Sequence, residues 1–277
     1  MQKQGSISTL QFNHVTYSYP GSFTTALDDV SLSIGGDQVS IFIGRNGCGK
    51  TTLFCLANGL FRPQKGKIEA FGKPLGYDHQ SLNQLRQNVG FVFQNPEYQL
   101  VAATVEEDLS YGLFNFGYSE GEVRDRVQQA LVDFDLVQLA DTPIHHLSLG
   151  QKKRVAIADV MILQPQLLLL DEPTAYLDPY QTRNLIHLLQ QIRATGTAIA
   201  IATHNLDFAY TYGDWLFVLD QGKLVTQGTP QTVFNESPVM EGLKLGRPLI
   251  LDVLDLLEEP EKSRIMRQFI QGCQITI

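Results

Sequence analysis

Four stretches of this chain are apolar without alternation: residues 39–43, 89–93, 167–170 and 199–202. Continuous apolar runs of this length predict parallel strands buried on both faces, since a half-exposed strand would alternate. Each run stops at residues that can carry chemistry: Gly44, Gln94, Asp171 and the pair Thr203-His204. Ligands of open α/β sheets sit beyond the carboxyl ends of the strands, so these four segments are expected to converge on one edge. Behind the first strand, Leu53, Leu56, Ala57 and Leu60 repeat at the spacing of a buried helical face. Gly59 and Pro63 are expected to end that helix.

Around this core the pattern changes. Residues 7–34 read as antiparallel strands broken at Pro20-Gly21, and residues 96–147 read as mainly helical, with 122–134 the clearest helix. Residues 215–219 and 224–226 flank Asp220-Gln221-Gly222-Lys223, a four-residue connection containing glycine that predicts a hairpin. Beyond about Gly228, residues 249–257 and 265–270 predict a small helical tail. The expected organisation is an α/β domain over residues 1–230, with a helical subdomain near 96–147, and an extension over 231–277.

Length and charge narrow the function. The 277 residues carry a net charge of −8, which argues against a broad nucleic-acid-binding face. Lys152-Lys153-Arg154 is a local basic patch and reads as the solvated face of a helix. No apolar run approaches the roughly 18 residues of a membrane span, and the polar start of the chain lacks the apolar segment of a signal peptide. Cys48, Cys55 and Cys273 make no disulfide framework, which fits a cytosolic setting. The adjacent His145-His146 read as loop residues rather than metal ligands.

Two segments carry the sharpest chemistry. Gly44-Arg45-Asn46-Gly47-Cys48-Gly49-Lys50-Thr51-Thr52 fits the phosphate-cradling pattern G-x-x-x-x-G-K-[ST]. Its glycines let backbone N–H groups turn toward phosphate oxygens at a helix N-terminus. Lys50 adds a charge for the β and γ phosphates, and Thr51 a hydroxyl for Mg²⁺. Cys48 lies inside the loop, where an oxidised thiol is expected to interfere. Then Leu167-Leu168-Leu169-Leu170-Asp171-Glu172-Pro173 delivers two carboxylates from a buried strand. An acidic pair before proline is ordinarily a solvated turn. Downstream of a phosphate loop, Asp171 reads as a Mg²⁺ holder and Glu172 as acceptor of the attacking water's proton. His204 and Gln94 gain weight from standing at the ends of neighbouring site strands. Tyr19, before Pro20-Gly21, reads either as a turn aromatic or as an adenine-stacking residue. Ser148 in Leu147-Ser148-Leu149-Gly150-Gln151 reads as an N-cap, and a helix N-terminus with Ser and Gly is also a γ-phosphate site.

Together, residues 7–230 resemble the ATP-binding subunits of ABC transporters. In the order expected of that family stand an adenine-stacking aromatic (Tyr19), the phosphate loop, the Q-loop (Gln94), the signature (Leu147 to Gln151), Walker B (Asp171 with Glu172), the D-loop (Ala175-Tyr176-Leu177-Asp178) and the switch histidine (His204). Leu149 takes the place of one glycine of the usual pair, and Tyr176 that of a small residue. Gln94-Asn95-Pro96-Glu97-Tyr98-Gln99, Thr104-Val105-Glu106-Glu107-Asp108 and Gly150-Gln151-Lys152-Lys153-Arg154-Val155-Ala156-Ile157-Ala158 are similar to the energy-coupling-factor branch; with Asn46-Gly47-Cys48-Gly49-Lys50 and Arg62-Pro63-Gln64-Lys65-Gly66 they are most similar to cobalt-importer ATPases.

The resemblance implies an ATPase with ATP and Mg²⁺ as cofactors, the ion held by Thr51, Gln94 and Asp171. It implies a head-to-tail partnership with a second ATP-binding subunit, identical or related. Ser148, Gly150, Gln151 and Asp178 would then reach the neighbour's nucleotide, while Lys50, Glu172 and His204 act in catalysis. It also implies membrane subunits docking around residues 94–103 at the cytoplasmic face of the cell membrane, and no nucleic acid. Nickel, biotin or another vitamin remains open beside cobalt. A soluble relative acting on nucleic acid or ribosomes is the non-transport alternative. The chain lacks the long coiled coil, second cassette and basic charge expected of such proteins. A P-loop kinase or GTPase would lack the signature.

Overall fold

A computed structural model describes residues 9–36, 38–235, 240, 242–258, 261 and 264–265. Ten strands follow in chain order among these residues. They are β1 (Leu10–Tyr17), β2 (Leu27–Ile34), β3 (Val39–Ile43), β4 (Lys65–Ala70) and β5 (Lys73–Pro74), then β6 (Val89–Val92), β7 (Leu167–Asp171), β8 (Ala198–Thr203), β9 (Trp215–Asp220) and β10 (Lys223–Gly228). Between them lie the helices α1 (Lys50–Ala57), α2 (His79–Asn88), α3 (Val105–Asn115), α4 (Glu120–Asp133), α5 (Leu149–Met161), α6 (Pro179–Ala194) and α7 (Leu206–Tyr212). The helices α8 (Pro230–Asn235) and α9 (Leu249–Asp255) come last.

The strands form two sheets. One is four-stranded and antiparallel, in the order β2-β1-β4-β5; the other is six-stranded, in the order β10-β9-β3-β8-β7-β6. Within the second, β9, β3, β8, β7 and β6 run parallel and only β10 turns back. All four continuous apolar runs are strands of this sheet, and every residue of β3, β6, β7 and β8 is buried. The reason is a separate apolar layer on each face. Ile41, Ile43, Leu168, Leu170, Ile199 and Ile201 point to one layer, shared with α3 to α7. Phe42, Leu167, Leu169, Ala200 and Phe217 point to the other, shared with α1 and the antiparallel sheet. A strand with oil on both sides has no polar positions to alternate with.

The layer position also corrects the first helix. Because α1 lies between the two sheets, nearly all of it is buried, and Leu53, Leu56 and Ala57 are fully so. Leu60 falls beyond the end at Asn58 and is exposed, so it is not part of the buried face. The hairpin is tighter than expected. Gln221 and Gly222 alone connect β9 to β10, both with positive φ (46° and 78°), as a two-residue turn with the strands' own twist requires. The region expected to be helical carries α3 and α4, each opened by a capping box: Thr104 with Glu107, and Ser119 with Glu122. In the tail, α9 occupies the first predicted segment. The second, apart from Ile265, lies outside the described residues, as does Cys273. No described helix is long and apolar enough to cross a membrane.

Candidate functional site

Because β3, β8, β7 and β6 are parallel neighbours in that order, their carboxyl ends set out four segments side by side. They are the phosphate loop, Thr203-His204, Asp171-Glu172 and Gln94. The loop joins β3 to α1. Gly44, Gly47 and Gly49 have φ of 155°, 79° and 110°. A side chain at Gly44 would meet the Leu219 carbonyl oxygen at 2.2 Å, and one at Gly49 the Ala26 carbonyl oxygen at 2.7 Å. These glycines are therefore demanded by close backbone packing as well as by conformation. The hairpin turn braces the loop from below, Gly222 N–H donating to the Cys48 carbonyl at 3.0 Å.

Lys50 is buried, and its Nζ donates to the Gly44 carbonyl at 2.8 Å and to that of Arg45 at 3.4 Å. It thus lies folded over the loop, while Arg45, Asn46, Gly47 and Thr51 face solvent. Cys48 is buried with its Sγ 4.0 Å from Lys50 Nζ, and burial pushes its thiol above the ordinary range. A buried thiol of raised pKa is less reactive than an exposed one. Cys55 is likewise buried and pushed up to about 11, again by burial.

Thr51 Oγ1 donates to Asp171 Oδ2 at 2.6 Å, which ties the start of α1 to the end of β7. Burial raises the Asp171 carboxyl above its usual range, with the Thr51 hydrogen bond opposing. Next to it Glu172 is buried in left-handed backbone (φ 44°). Its two oxygens are both engaged from β8: Thr203 Oγ1 donates to Oε2 at 3.1 Å, and His204 Nδ1 pairs with Oε1 at 2.8 Å. His204 itself is largely exposed, so the imidazole stands between the carboxylate and solvent. Gln94 is exposed just beyond the end of β6, one strand over from Asp171 at the end of β7. Tyr19 is partly exposed (41%); its hydroxyl shares a 2.8 Å hydrogen bond with Thr52 Oγ1, and its ring stands edge-on to Tyr17 and Phe61.

Ser148, at the N-terminus of α5, is exposed and does cap the helix. Its Oγ accepts from Gln151 N–H at 3.3 Å, and Gln151 Oε1 accepts from Ser148 N–H at 2.8 Å. Asp178 caps α6 in the same manner through Gln181 N–H at 2.7 Å. The basic triplet that follows is not the solvated face its composition predicts. Lys152 Nζ reaches Glu97 at 2.6 Å, and Arg154 pairs with Asp135 at 2.8 Å. Lys153 is buried, at 4% exposure, and its ammonium is held by three carbonyls of the turn after Asp171. Burial brings its pKa down to about 8, against the attraction of Glu172. Helical spacing held the signal for this: Lys153 stands four residues before the core residue Ile157.

A second polar group, two of whose members (Gln99 and Asp108) belong to the segments similar to the energy-coupling-factor branch, lies between α3 and α5. Asp108 is buried and its Oδ1 accepts from both Val101 and Ala102 N–H at 2.8 Å. Gln99 Nε2 donates to the Ala156 carbonyl at 2.9 Å and reaches Asp159 at 3.5 Å. These residues line a cavity of about 540 Å³ together with Arg86, Val101 and Tyr111. The adjacent His145 and His146 sit in a single-turn helix with rings 4.2 Å apart. No cluster of three His, Cys, Asp or Glu able to hold a metal occurs among the described residues.

A nucleotide-cradling loop beside paired carboxylates at the end of a parallel sheet is the geometry of a P-loop ATPase, and the signature sequence narrows it. A family model described as ABC transporter matches residues 27–175. The chain belongs to the ABC transporter family. It is an ATP-binding, ATP-hydrolysing subunit of the kind similar to energy-coupling-factor ATPases. A putative ABC transporter ATP-binding protein of Nostoc sp. is 53% identical over 262 residues, covering 95% of this chain and 96% of that protein. The energy-coupling factor transporter ATP-binding protein EcfA of Methanocaldococcus jannaschii is 38% identical, covering 92% of this chain and 91% of that protein. Among solved structures, CbiO1 of Clostridium perfringens, described as part of the ABC transporter complex CbiONQ, superposes with a TM-score of 0.76 at 39% identity, covering 90% of this chain and 99% of its own.

Proposed function

We propose that this ABC ATPase hydrolyses ATP at a site completed by a second ATP-binding subunit, and that it powers an energy-coupling-factor type importer. The observation that carries the reading is the pairing of Glu172 with His204 beside the Thr51–Asp171 contact, all at the mouth of the phosphate loop. In this reading the loop residues Gly44 to Thr52 hold the phosphates, Lys50 supplies positive charge to them, and Tyr19 lies against the adenine. Glu172 accepts the proton of the attacking water, and His204 keeps that water and the γ-phosphate in line. Ser148, Gly150, Gln151 and Asp178 reach the nucleotide of the neighbouring subunit.

Thr51 and Asp171 are hard oxygen donors of the kind that suit Mg²⁺, which keeps water and phosphate oxygens as its other ligands. Gln94 supplies an amide oxygen on the neighbouring strand end. When bound, the ion would offset charge on the phosphates. Residues 1–230 form the ATP-binding unit in this reading, and residues 231–277 the extension.

Coupling to transport places the subunit peripherally on the cytoplasmic face of the membrane, with membrane subunits docking around residues 94–103. Support comes from exposed Tyr98 and Val101 next to the cavity at Gln99. Cobalt is the proposed cargo, supported by the resemblance of residues 94–99 and 150–154 to cobalt-importer ATPases; nickel, biotin or another vitamin would suit the same motor. The deciding experiment on the chemistry is Glu172→Gln. Its turnover should fall by at least about a hundredfold while ATP binding persists and an ATP-loaded dimer accumulates on size exclusion. Wild-type turnover in that variant would take Glu172 out of the role.

A further inference from the structure

A buried lysine is costly unless its donors are satisfied, and Lys153 satisfies all three on one short turn. Its Nζ donates to the carbonyl oxygens of Glu172 at 3.3 Å, Pro173 at 2.8 Å and Ala175 at 2.9 Å. Three carbonyls aimed at one point repel each other unless a cation lies between them. The turn is also conformationally unusual, with Glu172 at φ 44° and Tyr176 at φ 63°. Such backbone costs on the order of 1 kcal/mol or more per residue and persists only where the surroundings impose it. From the β8 side, the Ala202 carbonyl accepts from Glu172 N–H at 2.8 Å, and Thr203 and His204 hold the carboxylate. Within the turn, Ala175 N–H donates to the Glu172 carbonyl at 3.1 Å and Leu177 N–H to that of Thr174 at 3.3 Å; from the other side, the side chain that holds the turn is Lys153.

The other end of this side chain is equally placed. Lys153 belongs to the second turn of α5, whose N-cap is Ser148. One side chain thus joins the helix that presents Ser148 to the turn that presents Glu172. We propose that Lys153 is a positioning residue for Glu172, its ammonium locking the start of α5 and the carboxylate-bearing turn into one unit. The proposal rests on the reading of Glu172 as proton acceptor and of Ser148 as a contact to the neighbour's nucleotide. It deepens that reading: when Ser148 closes on the neighbour's ATP, the same rigid unit aims the chain's own Glu172, so the two composite sites are linked through Lys153.

The test uses the full-length chain with Lys153→Met, which keeps the apolar stem and removes the donors, and Lys153→Gln, which restores an amide donor. Each is also made in the Glu172→Gln background. Turnover of Lys153→Met should fall by at least about tenfold with the KM for ATP within about twofold, the split expected when only the chemical step is impaired. ATP-loaded dimer should accumulate, and Lys153→Gln should recover part of the rate. In single-turnover assays of the Glu172→Gln background, Lys153→Met should cost less than about twofold more, because the group it positions is already gone.

Three results overturn the proposal: a Lys153→Met rate within twofold of wild type, an equal fold-loss in both backgrounds, or loss of the ATP-loaded dimer along with the rate. The last would mean that α5 itself is damaged. Should Lys153→Met fail to melt cooperatively, Lys153→Gln is compared in the two backgrounds instead, and an equal fold-loss in both overturns the proposal. A Glu172→Gln chain that stays monomeric with ATP would remove the shared-site reading. The turnover–KM split and the comparison of backgrounds would still decide the role of Lys153.

Discussion

Asp159 shows how a single residue can tune this molecule without belonging to its site. Burial, and secondarily the nearby Asp108, push its carboxyl up to about 7 from an ordinary value of 3.8, while the Gln99 amide pulls the other way. Between those two values the folded chain keeps a proton that the unfolded chain releases. Stability contributed by the protonated acid is therefore complete below about pH 4 and is lost as pH rises through about 7. Asp159→Asn keeps the shape and abolishes the titration. Its melting temperature should exceed that of wild type by a few degrees at pH 8, a gain of about 1–3 kcal/mol, and converge on it near pH 4. Equal shifts at both pH values in a thermal scan would show that packing, not ionisation, is at work. Lys153 and Glu172 illustrate the same scale from the other side, where burial is offset by donors and acceptors placed one by one.

At the scale of elements, helix α5 begins at a residue with an observed cap and a proposed nucleotide contact. Ser148 closes a reciprocal capping box with Gln151, so its hydroxyl contributes about 1 kcal/mol to the helix, whatever it does for nucleotide. Ser148→Asp separates the two roles. Aspartate caps as well as serine, so the melting temperature should hold. A carboxylate facing the neighbour's phosphates should cost the ATP-driven dimer and at least about tenfold in turnover through like-charge repulsion. A variant that melts early and still dimerises with ATP would mean that Ser148 is a cap alone. The capping role was legible in sequence because its rule is local. Burial of Lys153 was less so, since it depends on the turn after β7, which is 19 residues and one strand away in the chain.

Across the whole molecule, the sheet order brings the phosphate loop, the carboxylates and His204 to one edge, while α2, α3 and Asp159 of α5 line the cavity at Gln99. Val101 is exposed and distant in the chain from the phosphate loop, and Tyr98 even more exposed. Replacing both by glutamate in the assembled transporter should abolish cargo uptake, by at least about tenfold, and leave basal ATP hydrolysis within about twofold, because buried apolar anchors carry most of an interface's energy. Uptake assays run beside phosphate release would decide it; full uptake would move the docking surface elsewhere.

The amino-acid sequence by itself determined the four buried strands β3, β6, β7 and β8, the turn between β9 and β10, the glycines of the loop after β3 and the Ser148 cap, because each rests on local rules: periodicity, glycine conformations and hydrogen bonds within a few residues. It also determined that those four strands would be parallel, since strands covered on both faces lack alternation. Tertiary structure alone decided that α1 is buried nearly all round and that the basic triplet is spent on Glu97, Asp135 and an interior turn. It decided equally that Cys48 is shielded and that Asp108 and Asp159 line one cavity. Each of these depends on which distant segment covers a residue, and burial, which sets the cost of charge, is a property of the packed layers rather than of any window of sequence.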